Sequence, residues 1–265
     1  MNDSNLFWSW YRPRNFGDWV TPFLFEALTG KEAVHCPAKH LLPGATTVYG
    51  CGSILRHIQV PDVAVVWGSG IIDSADRFAR PLRTVSVRGP RSRARMLALG
   101  YDCPEVYGDP ALILPKVYPS KPERVFEVGV IPHFAELNQF RGKPLPKDWT
   151  LIDVTKDIKQ VISAITRCRR TVSSSLHGVI VSHAYNVPSA WVASDVALHG
   201  DGVKFADYFE SLGVAETSLP GNWRAIREGN LSSVTFLQPD VTSLQNQILE
   251  SCPFQMTEIL GSVSA

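Results

Sequence analysis

Residues 173–178 carry the segment with the most evident chemistry, Ser-Ser-Ser-Leu-His-Gly, between a predicted strand and a predicted helix. The hydroxyl groups of Ser173, Ser174 and Ser175 would meet the first N–H groups of that helix, where the dipole favours a phosphate or a carboxylate. His177 beside such an anion could hold or deliver a proton near neutral pH. The alternative is a serine-rich helix cap with a half-buried histidine.

A second polar turn, Asn15-Phe16-Gly17-Asp18, follows the first predicted strand. Asp18 could accept a proton from a sugar hydroxyl, and Gly17 would let the backbone approach a ligand. The alternative is an ordinary Asx-type turn that caps the next helix.

Two further strand ends carry charged residues. Arg88 precedes Gly89-Pro90, and an arginine there can hold a carboxylate or a phosphate through two parallel hydrogen bonds. Asp109 lies in Gly108-Asp109-Pro110, where a catalytic carboxylate and a plain turn dipeptide are both open.

Three other positions are candidates for ligand contact. Ser69 lies in a Gly-Ser-Gly turn that lacks the third glycine of a dinucleotide fingerprint. His133 ends the first strand of the second half and either faces a cleft or is buried against backbone. Lys204 precedes an aromatic helix and either contacts an anion or extends over apolar surface.

These residues are placed by an alternation of short strands and helices, which predicts α/β structure with parallel sheets covered on both faces. Thr21 is expected to cap the first helix, and residues 105–114 are expected to form one more strand and turn. The other predicted strands are residues 6–11, 47–49, 63–67, 83–87, 126–131, 151–154, 171–173 and 189–192. The predicted helices are residues 21–28, 90–99, 158–167, 178–185, 205–212 and 243–252.

Three prolines within residues 115–124 mark the predicted domain boundary. We therefore expect one domain over residues 1–114 and a second over residues 115–265. Because ligands of such sheets bind beyond the carboxyl ends of the strands, we expect the ligand in a cleft between the two domains.

Composition narrows the class of protein. The 265 residues carry 26 Lys and Arg against 25 Asp and Glu, so no overall field would attract nucleic acid. Five widely spaced cysteines indicate neither a disulfide framework nor a zinc site, and no metal is expected. The polar beginning of the sequence and the lack of a long apolar stretch predict a cytoplasmic protein, with peripheral membrane contact left open.

Taken together, the motifs resemble those of the polysaccharide pyruvyl transferase family, in order from about Phe7 to Gly213. The motifs that carry the resemblance are Asn15-x-Gly17-Asp18, Gly68-Ser69-Gly70, Val87-Arg88-Gly89-Pro90, Gly108-Asp109-Pro110 and Ser174-x-x-His177-Gly178.

The resemblance implies two facing Rossmann-like domains of the glycosyltransferase-B type, with the acceptor on the first domain and the donor on the second. The C-terminal helix is expected to pack back on the first domain. The donor would be phosphoenolpyruvate, a co-substrate with no cofactor beside it. The acceptor would be a sugar, expected to be part of a lipid-linked oligosaccharide at the inner membrane face, and the product a cyclic pyruvate ketal.

Roles follow from the resemblance and the local chemistry. The expected catalytic residues are His177, Asp18 and Asp109. The expected donor-binding residues are Arg88, Ser173, Ser174, Ser175, Gly178 and Lys204. The expected acceptor-binding residues are Asn15, Gly17, Ser69 and His133. For Trp8, Trp10, Phe16 and Trp19, stacking on a sugar and burial in the core are both open.

The chain departs from the family at Ser175, where many members carry arginine before the Leu-His pair. An anion contact made there must come from elsewhere, and the substitutes are Arg88, Arg91, Arg169 and Lys204. Two other functions stay open: a nucleotide-sugar glycosyltransferase on the same architecture, and a carbohydrate-binding protein without catalysis.

Overall fold

Strands of two parallel sheets alternate with helices along the chain. A computed structural model describes residues 6–8, 15–41, 44–214 and 221–254. The first sheet has the order β2-β1-β3-β4-β5. Its strands are β1 (Leu6–Trp8), β2 (Ala33–His35), β3 (Thr47–Tyr49), β4 (Ala64–Trp67) and β5 (Arg83–Ser86).

The second sheet lies after the proline-rich segment and has the order β10-β9-β8-β6-β7. Its strands are β6 (Phe126–Ile131), β7 (Trp149–Leu151), β8 (Cys168–Ser173), β9 (Ser189–Ala193) and β10 (Gly221–Asn222). Every pairing between named strands in both sheets is parallel. In the pairing of β3 with β4, for example, Thr47 lies opposite Ala64. The predicted α/β class with parallel sheets is confirmed, and the two-domain glycosyltransferase-B arrangement stays a prediction.

The described part of the chain includes eight α-helices. They are α1 (Phe16–Thr29), α2 (Pro90–Ala98), α3 (Leu114–Val117), α4 (Ile158–Thr166), α5 (Leu176–Ala184), α6 (Val203–Ser211), α7 (Trp223–Arg227) and α8 (Thr242–Glu250). Most predicted elements lie within a few residues of these bounds. Short elements such as β2, β10 and α7 were not predicted, because so few residues carry no clear periodicity.

The start of α1 corrects one prediction. The helix begins at Phe16, five residues before Thr21, and Pro22 lies in its second turn. Thr21 is therefore inside the helix, where its hydroxyl accepts a hydrogen bond from the N–H of Cys51. Apolar residues at positions 16, 20, 24 and 28 are buried at one-turn spacing, which fixes the face that α1 turns to the core.

Residues 105–114 correct another prediction, because they form no extended strand. Tyr107 makes a single parallel bridge to Val87, and a 3₁₀ turn, Pro110–Ile113, follows at once. Proline fixes its own backbone angle and lacks an N–H, so the chain cannot continue a ladder through Pro110. The carboxylate of Asp109 caps the turn by accepting from the N–H of Ala111.

One hydrophobic cluster joins the two sheets. It includes Leu24 of α1, Leu112 of the 3₁₀ turn and Val179 of α5, all without solvent exposure. Helix α8 lies against the first half, where the indole N–H of Trp67 donates to the carbonyl of Ile248. The division into domains at residues 114 and 115 stays a prediction.

In the described ranges, each helix is either too short or too polar to span a bilayer. The five cysteines are free thiols, and three of them are buried.

Candidate functional site

A pocket of about 560 Å³ lies beyond the carboxyl ends of strands from both sheets. Its walls come from segments that follow β1, β3 and β4 of the first sheet and β6, β8 and β9 of the second. Ligands of parallel α/β sheets bind at this end of the strands, because that is where the connecting loops diverge. The position of the pocket therefore makes it the candidate site.

Six basic side chains from the described ranges line this pocket, which we call the basic pocket. Among the described residues that line it, Asp18 is the one carboxylate. The basic lining residues are Arg56, His57, His133, His177, His199 and Lys204. Four of the seven histidines of a chain with net charge +1 thus lie around one pocket.

Burial, with a smaller effect of neighbouring basic groups, lowers the pKa values of three of these side chains. Desolvation and, to a smaller extent, the charge of Lys204 together lower the pKa of His133 to about 4. Desolvation and Arg56 and His199 lower the pKa of His57 to about 4. Desolvation and Arg88 lower the pKa of Lys204 to about 8. A bound anion offsets both the desolvation of these groups and the repulsion between them, so the pocket is suited to a negatively charged ligand.

His177 and Asp109 form a pair at the wall of the pocket. Asp109 Oδ2 is 3.6 Å from His177 Nε2, and the carboxylate has no solvent exposure. Burial raises the pKa of Asp109, but its interactions with His177, the N–H of Ala111 and Arg88 more than offset this, so the pKa lies below its ordinary value. A charged carboxylate behind an imidazole orients the ring.

Gly17 makes room for this histidine. The His177 ring lies against the backbone of Gly17 so closely that a Cβ there would overlap it. Beside it, the amide of Asn15 donates to Asp18 Oδ2 at 3.1 Å, and both side chains line the basic pocket. Asn15 occupies the N-cap position of α1 but makes no capping bond with its side chain.

Three helices begin at the basic pocket. Asp18 belongs to the first turn of α1, His177 to the first turn of α5 and Lys204 to the first turn of α6. The first N–H groups of a helix have no partner within the helix and carry a partial positive charge. The helix ends add to the positive potential of the side chains.

The serine turn is arranged differently from the predicted cradle of three hydroxyls. The hydroxyl of Ser173 lies within hydrogen-bond distance of the carbonyls of Ile131 and Ser175, and that of Ser174 donates to Glu136 Oε2. Ser175 alone of the three lines the basic pocket.

Gly178 and Ser69, which the sequence predicts as donor-binding and acceptor-binding residues, also lie inside the protein. Gly178 is buried in α5, where a Cβ would overlap the Ser173 hydroxyl. Ser69 is fully buried and donates to the carbonyl of Gly52, so neither residue lines the pocket.

Arg88 corrects the expectation that its guanidinium faces the donor. The side chain has no solvent exposure and forms an ion pair with Asp207 at 2.9 Å. It also donates to the Ser53 hydroxyl and to the carbonyl of Ile71. Ser53 lines the basic pocket, so Arg88 lies one hydrogen bond behind its wall.

Of the other basic residues considered as replacements for the family arginine at position 175, one lines the basic pocket and two do not. Lys204 lines the basic pocket, whereas Arg91 pairs with Glu210 and Arg169 pairs with Glu127 away from it.

Sequence reasoning missed Arg56, His57 and His199. Arg56 contacts His199 across 143 positions and lies 3.9 Å from Asp76. Arg56 and His57 lie in the 3₁₀ turn Leu55–His57, in the segment that follows β3, and His199 follows β9. The rule that polar residues after parallel strands face the ligand would have found all three.

Among the described residues, no group of three or more His, Cys, Asp or Glu is placed to hold a metal ion.

Comparisons with known proteins identify relatives. A family model described as "Polysaccharide pyruvyl transferase" matches residues 48–196, more than half of the chain. The uncharacterized protein L143 of Acanthamoeba polyphaga mimivirus is 30% identical over 161 residues, which are 57% of this chain and 55% of that protein. The succinoglycan biosynthesis protein ExoV of Rhizobium meliloti (strain 1021) is 27% identical over 219 residues, 76% of this chain and 62% of that protein.

The chain thus spans between about half and two thirds of the length of these relatives. No solved structure matches the chain significantly.

Proposed function

Because the chain belongs to the polysaccharide pyruvyl transferase family, we propose that it transfers the enolpyruvyl group of phosphoenolpyruvate to two hydroxyl groups of one sugar. The product is a cyclic pyruvate ketal. The observation that carries the proposal is the basic pocket, in which one arginine, one lysine, four histidines and three helix N-termini surround a single carboxylate. A small ligand with a phosphate and a carboxylate complements this charge.

The donor is held by several groups that line the pocket. Lys204 stays protonated at pH 7 because its pKa is about 8, and Arg56 is charged at any such pH. His133 is neutral at that pH, since its pKa is about 4, and its ring serves as a hydrogen-bond partner. Ser175 and the start of α5 complete the anion contacts, and Arg88 supports them by holding Ser53.

The reaction needs one proton delivered to carbon and one removed from oxygen. The first sugar hydroxyl attacks the central carbon of phosphoenolpyruvate while the methylene carbon takes up a proton. Phosphate then leaves with its electron pair, and the second hydroxyl closes the ring. Of the two hydrogens that the diol loses, one becomes part of the ketal methyl group and the other leaves with phosphate.

His177 is the proton donor in this proposal, with Asp109 as its positioning partner. Asp109 is too deeply buried to meet the sugar, so its expected role as a base toward the acceptor passes to Asp18. Asp18 lines the basic pocket next to Asn15 and Gly17, where the acceptor hydroxyls would enter. Acid and base at separate positions allow both proton movements in one complex.

The acceptor is a sugar of a lipid-linked oligosaccharide, and the protein works in the cytoplasm at the inner membrane face. Both statements are part of the proposal, and the family of the chain supports them. The membrane contact needs no spanning segment, because the lipid carrier brings the sugar to the surface.

The direct test is incubation of the protein with phosphoenolpyruvate and a panel of hexopyranosides. We expect release of inorganic phosphate together with a ketal methyl resonance in the NMR spectrum of the sugar. His177→Ala should lower the rate at least 100-fold while circular dichroism and the melting temperature stay near those of the wild type. His40→Ala, which removes an exposed histidine outside the pocket, is the matched control and should react normally.

Thermal shift separates the proposal from its rivals. A ligand that binds the folded state raises the melting temperature, so stabilisation by phosphoenolpyruvate supports pyruvyl transfer. Stabilisation by uridine diphosphate instead would indicate a glycosyltransferase. Phosphoenolpyruvate binding without phosphate release in the presence of any glycoside would indicate a binding protein.

A further inference from the structure

A second pocket, of about 470 Å³, lies on the other side of the first turn of α1. We call it the aromatic pocket. It is lined by Trp8, Asn15, Phe16, Trp19, Pro22, Phe23, Glu26, Ala33, His35, Lys156, Asp157 and Ile158. Its volume lies in the range of about 300–1,000 Å³ that is usual for ligand sites.

One face of α1 builds this pocket. Asn15, Trp19, Phe23 and Glu26 recur at spacings of three and four positions, so they lie in a row along the helix. Asp18 lies on the neighbouring face and lines the basic pocket. The first turn of α1 is therefore the wall between the two pockets.

Asn15 lines both pockets, so the two are adjacent at this residue. Phe16 lines the aromatic pocket and is 6.3 Å, centroid to centroid, from the ring of His177 in the basic pocket. The lining of the aromatic pocket is therefore one aromatic contact away from the proposed proton donor.

The aromatic residues of this pocket divide into support and contact surface. Trp8 and Phe16 are buried at 3% and 1% exposure, whereas Trp19 is 37% exposed. Trp8 meets Trp19 edge to face at 5.5 Å and meets His35 at 4.8 Å, which holds both outer rings in place. Trp10 lies outside the described residues. The structure thus presents Trp19 as the open ring and fixes its orientation from behind.

The polar groups around these rings differ from those of the basic pocket. Glu26 and Asp157 are carboxylates, Asn15 supplies an amide, and Lys156 is the one exposed cation in the described lining. Asp157 Oδ1 is fixed by the N–H of Lys159, and Glu26 Oε1 accepts from the N–H of Ala33. Carboxylate and amide oxygens accept hydrogen bonds from hydroxyl groups, and a phosphate would be repelled by them.

We propose that the aromatic pocket binds a pyranose ring of the acceptor, with Trp19 against its apolar face. The C–H groups on that face are weakly positive and meet the negative face of the indole, while the ring hydroxyls donate to Glu26, Asp157 and Asn15. The two substrates then lie in different pockets. The anionic donor occupies the basic pocket, and the neutral sugar extends from it past Asn15. This inference rests on the proposed function because it takes the bound sugar to be the acceptor of that reaction. The binding test uses no donor and so does not depend on that reaction.

The test measures sugar binding without any donor. Saturation-transfer NMR is recorded with methyl β-D-glucopyranoside, methyl β-D-galactopyranoside and methyl α-D-mannopyranoside. We expect ring-proton signals from at least one of them with the wild type. Trp19→Ala should reduce these signals at least fivefold, and Trp19→Phe should keep most of them because an aromatic face remains.

Leu82→Ala is the matched control, because Leu82 is an exposed apolar side chain outside both of these pockets. It should leave the signals unchanged. Glu26→Gln, at an exposed position of α1, provides a second variant that should weaken binding without touching the core. Absence of signal from all three glycosides with the wild type, or equal signal with Trp19→Ala, would overturn the proposal.

The outcome is distinguishable from that of the proposed function. If phosphoenolpyruvate stabilises the protein and glycoside binding ignores Trp19, the subsite is wrong and the pyruvyl transfer stands. If glycosides bind through Trp19 but phosphoenolpyruvate gives no stabilisation, the sugar site stands and the donor is wrong.

Discussion

At the scale of single residues, the contact between His177 and Gly17 shows why a glycine is needed in the first polar turn. Both residues belong to short polar turns that are 160 positions apart in the sequence. The histidine ring lies on the glycine backbone on one side and faces Asp109 on the other. The glycine is thus needed for close approach of a side chain.

This packing predicts an unusual sign for Gly17→Ala. In a helix the change normally stabilises by up to about 1 kcal/mol, because alanine has the higher helix propensity. Here the new Cβ would overlap His177, and overpacking costs about 1–3 kcal/mol. We expect the free energy of unfolding, measured by urea denaturation, to fall in the wild-type background.

The double variant with His177→Ala tests the cause. Without the imidazole the overlap is gone, so Gly17→Ala should be neutral or stabilising in that background. An equal loss of stability in both backgrounds would mean that another contact of Gly17 is responsible.

Helices α2 and α6 are held together at the scale of elements by the carboxylate of Asp207. It accepts from the N–H and the hydroxyl of Ser92 and from Arg88, all buried. The guanidinium of Arg88 in turn lies over Gly70, where a Cβ would overlap it. The Gly-Ser-Gly and Arg-Gly-Pro motifs are therefore two parts of one packing arrangement behind the basic pocket.

We expect Arg88→Met to destabilise the protein by about 3–5 kcal/mol, because it leaves Asp207 buried without a counter-charge. Urea denaturation measures the loss. Arg80→Met is the matched control, since Arg80 pairs with Asp62 at an exposed position, where solvent screens the pair and its loss should change stability little.

Adding Asp207→Asn to Arg88→Met should restore part of the stability by removing the unpaired charge. A loss of less than about 1 kcal/mol for Arg88→Met would show that the ion pair does not stabilise the fold. The initial prediction that Arg88 contacts the donor would then be favoured again.

The whole molecule concentrates its basic groups while staying nearly neutral. The net charge of +1 hides a pocket rich in histidine, and a shared hydrophobic cluster joins the two sheets behind it. Burial keeps several histidines uncharged. His57, His133 and His183 each have a pKa of about 4, with desolvation as the main cause.

These lowered values predict loss of stability in mild acid. Unfolded histidine takes up a proton near pH 6.5, whereas the folded protein resists protonation until about pH 4, so stability is full above pH 6.5 and falls between these values. Each unit of pKa difference corresponds to about 1.4 kcal/mol. The urea midpoint should therefore be lower at pH 5 than at pH 7.

Variants assign this dependence to the buried groups. His183→Gln should reduce the difference between the two midpoints, because His183 is 2% exposed. His40→Gln, at an exposed site, should leave the difference unchanged. A midpoint that stays constant between pH 5 and pH 7 would contradict the prediction.

Local pattern in the sequence was enough to determine the alternation of strands and helices, the polar turns at the strand ends and the family. Strands β3 and β6 begin and end where the apolar runs predict. Asp109 and His177, singled out from their motifs, do lie together. These features depend on neighbours within a few positions, where steric preference and periodicity act directly.

Only the tertiary structure decided which of these polar residues face the pocket. Arg88 is paired with Asp207 across 119 positions, and Arg56 meets His199 across 143. Strand order and helix packing bring such residues together, and no local pattern encodes the distance between them. The motif that contains a charged side chain therefore does not determine its role. Burial and the partner across the core decide whether its charge is neutralised inside the protein or faces a ligand.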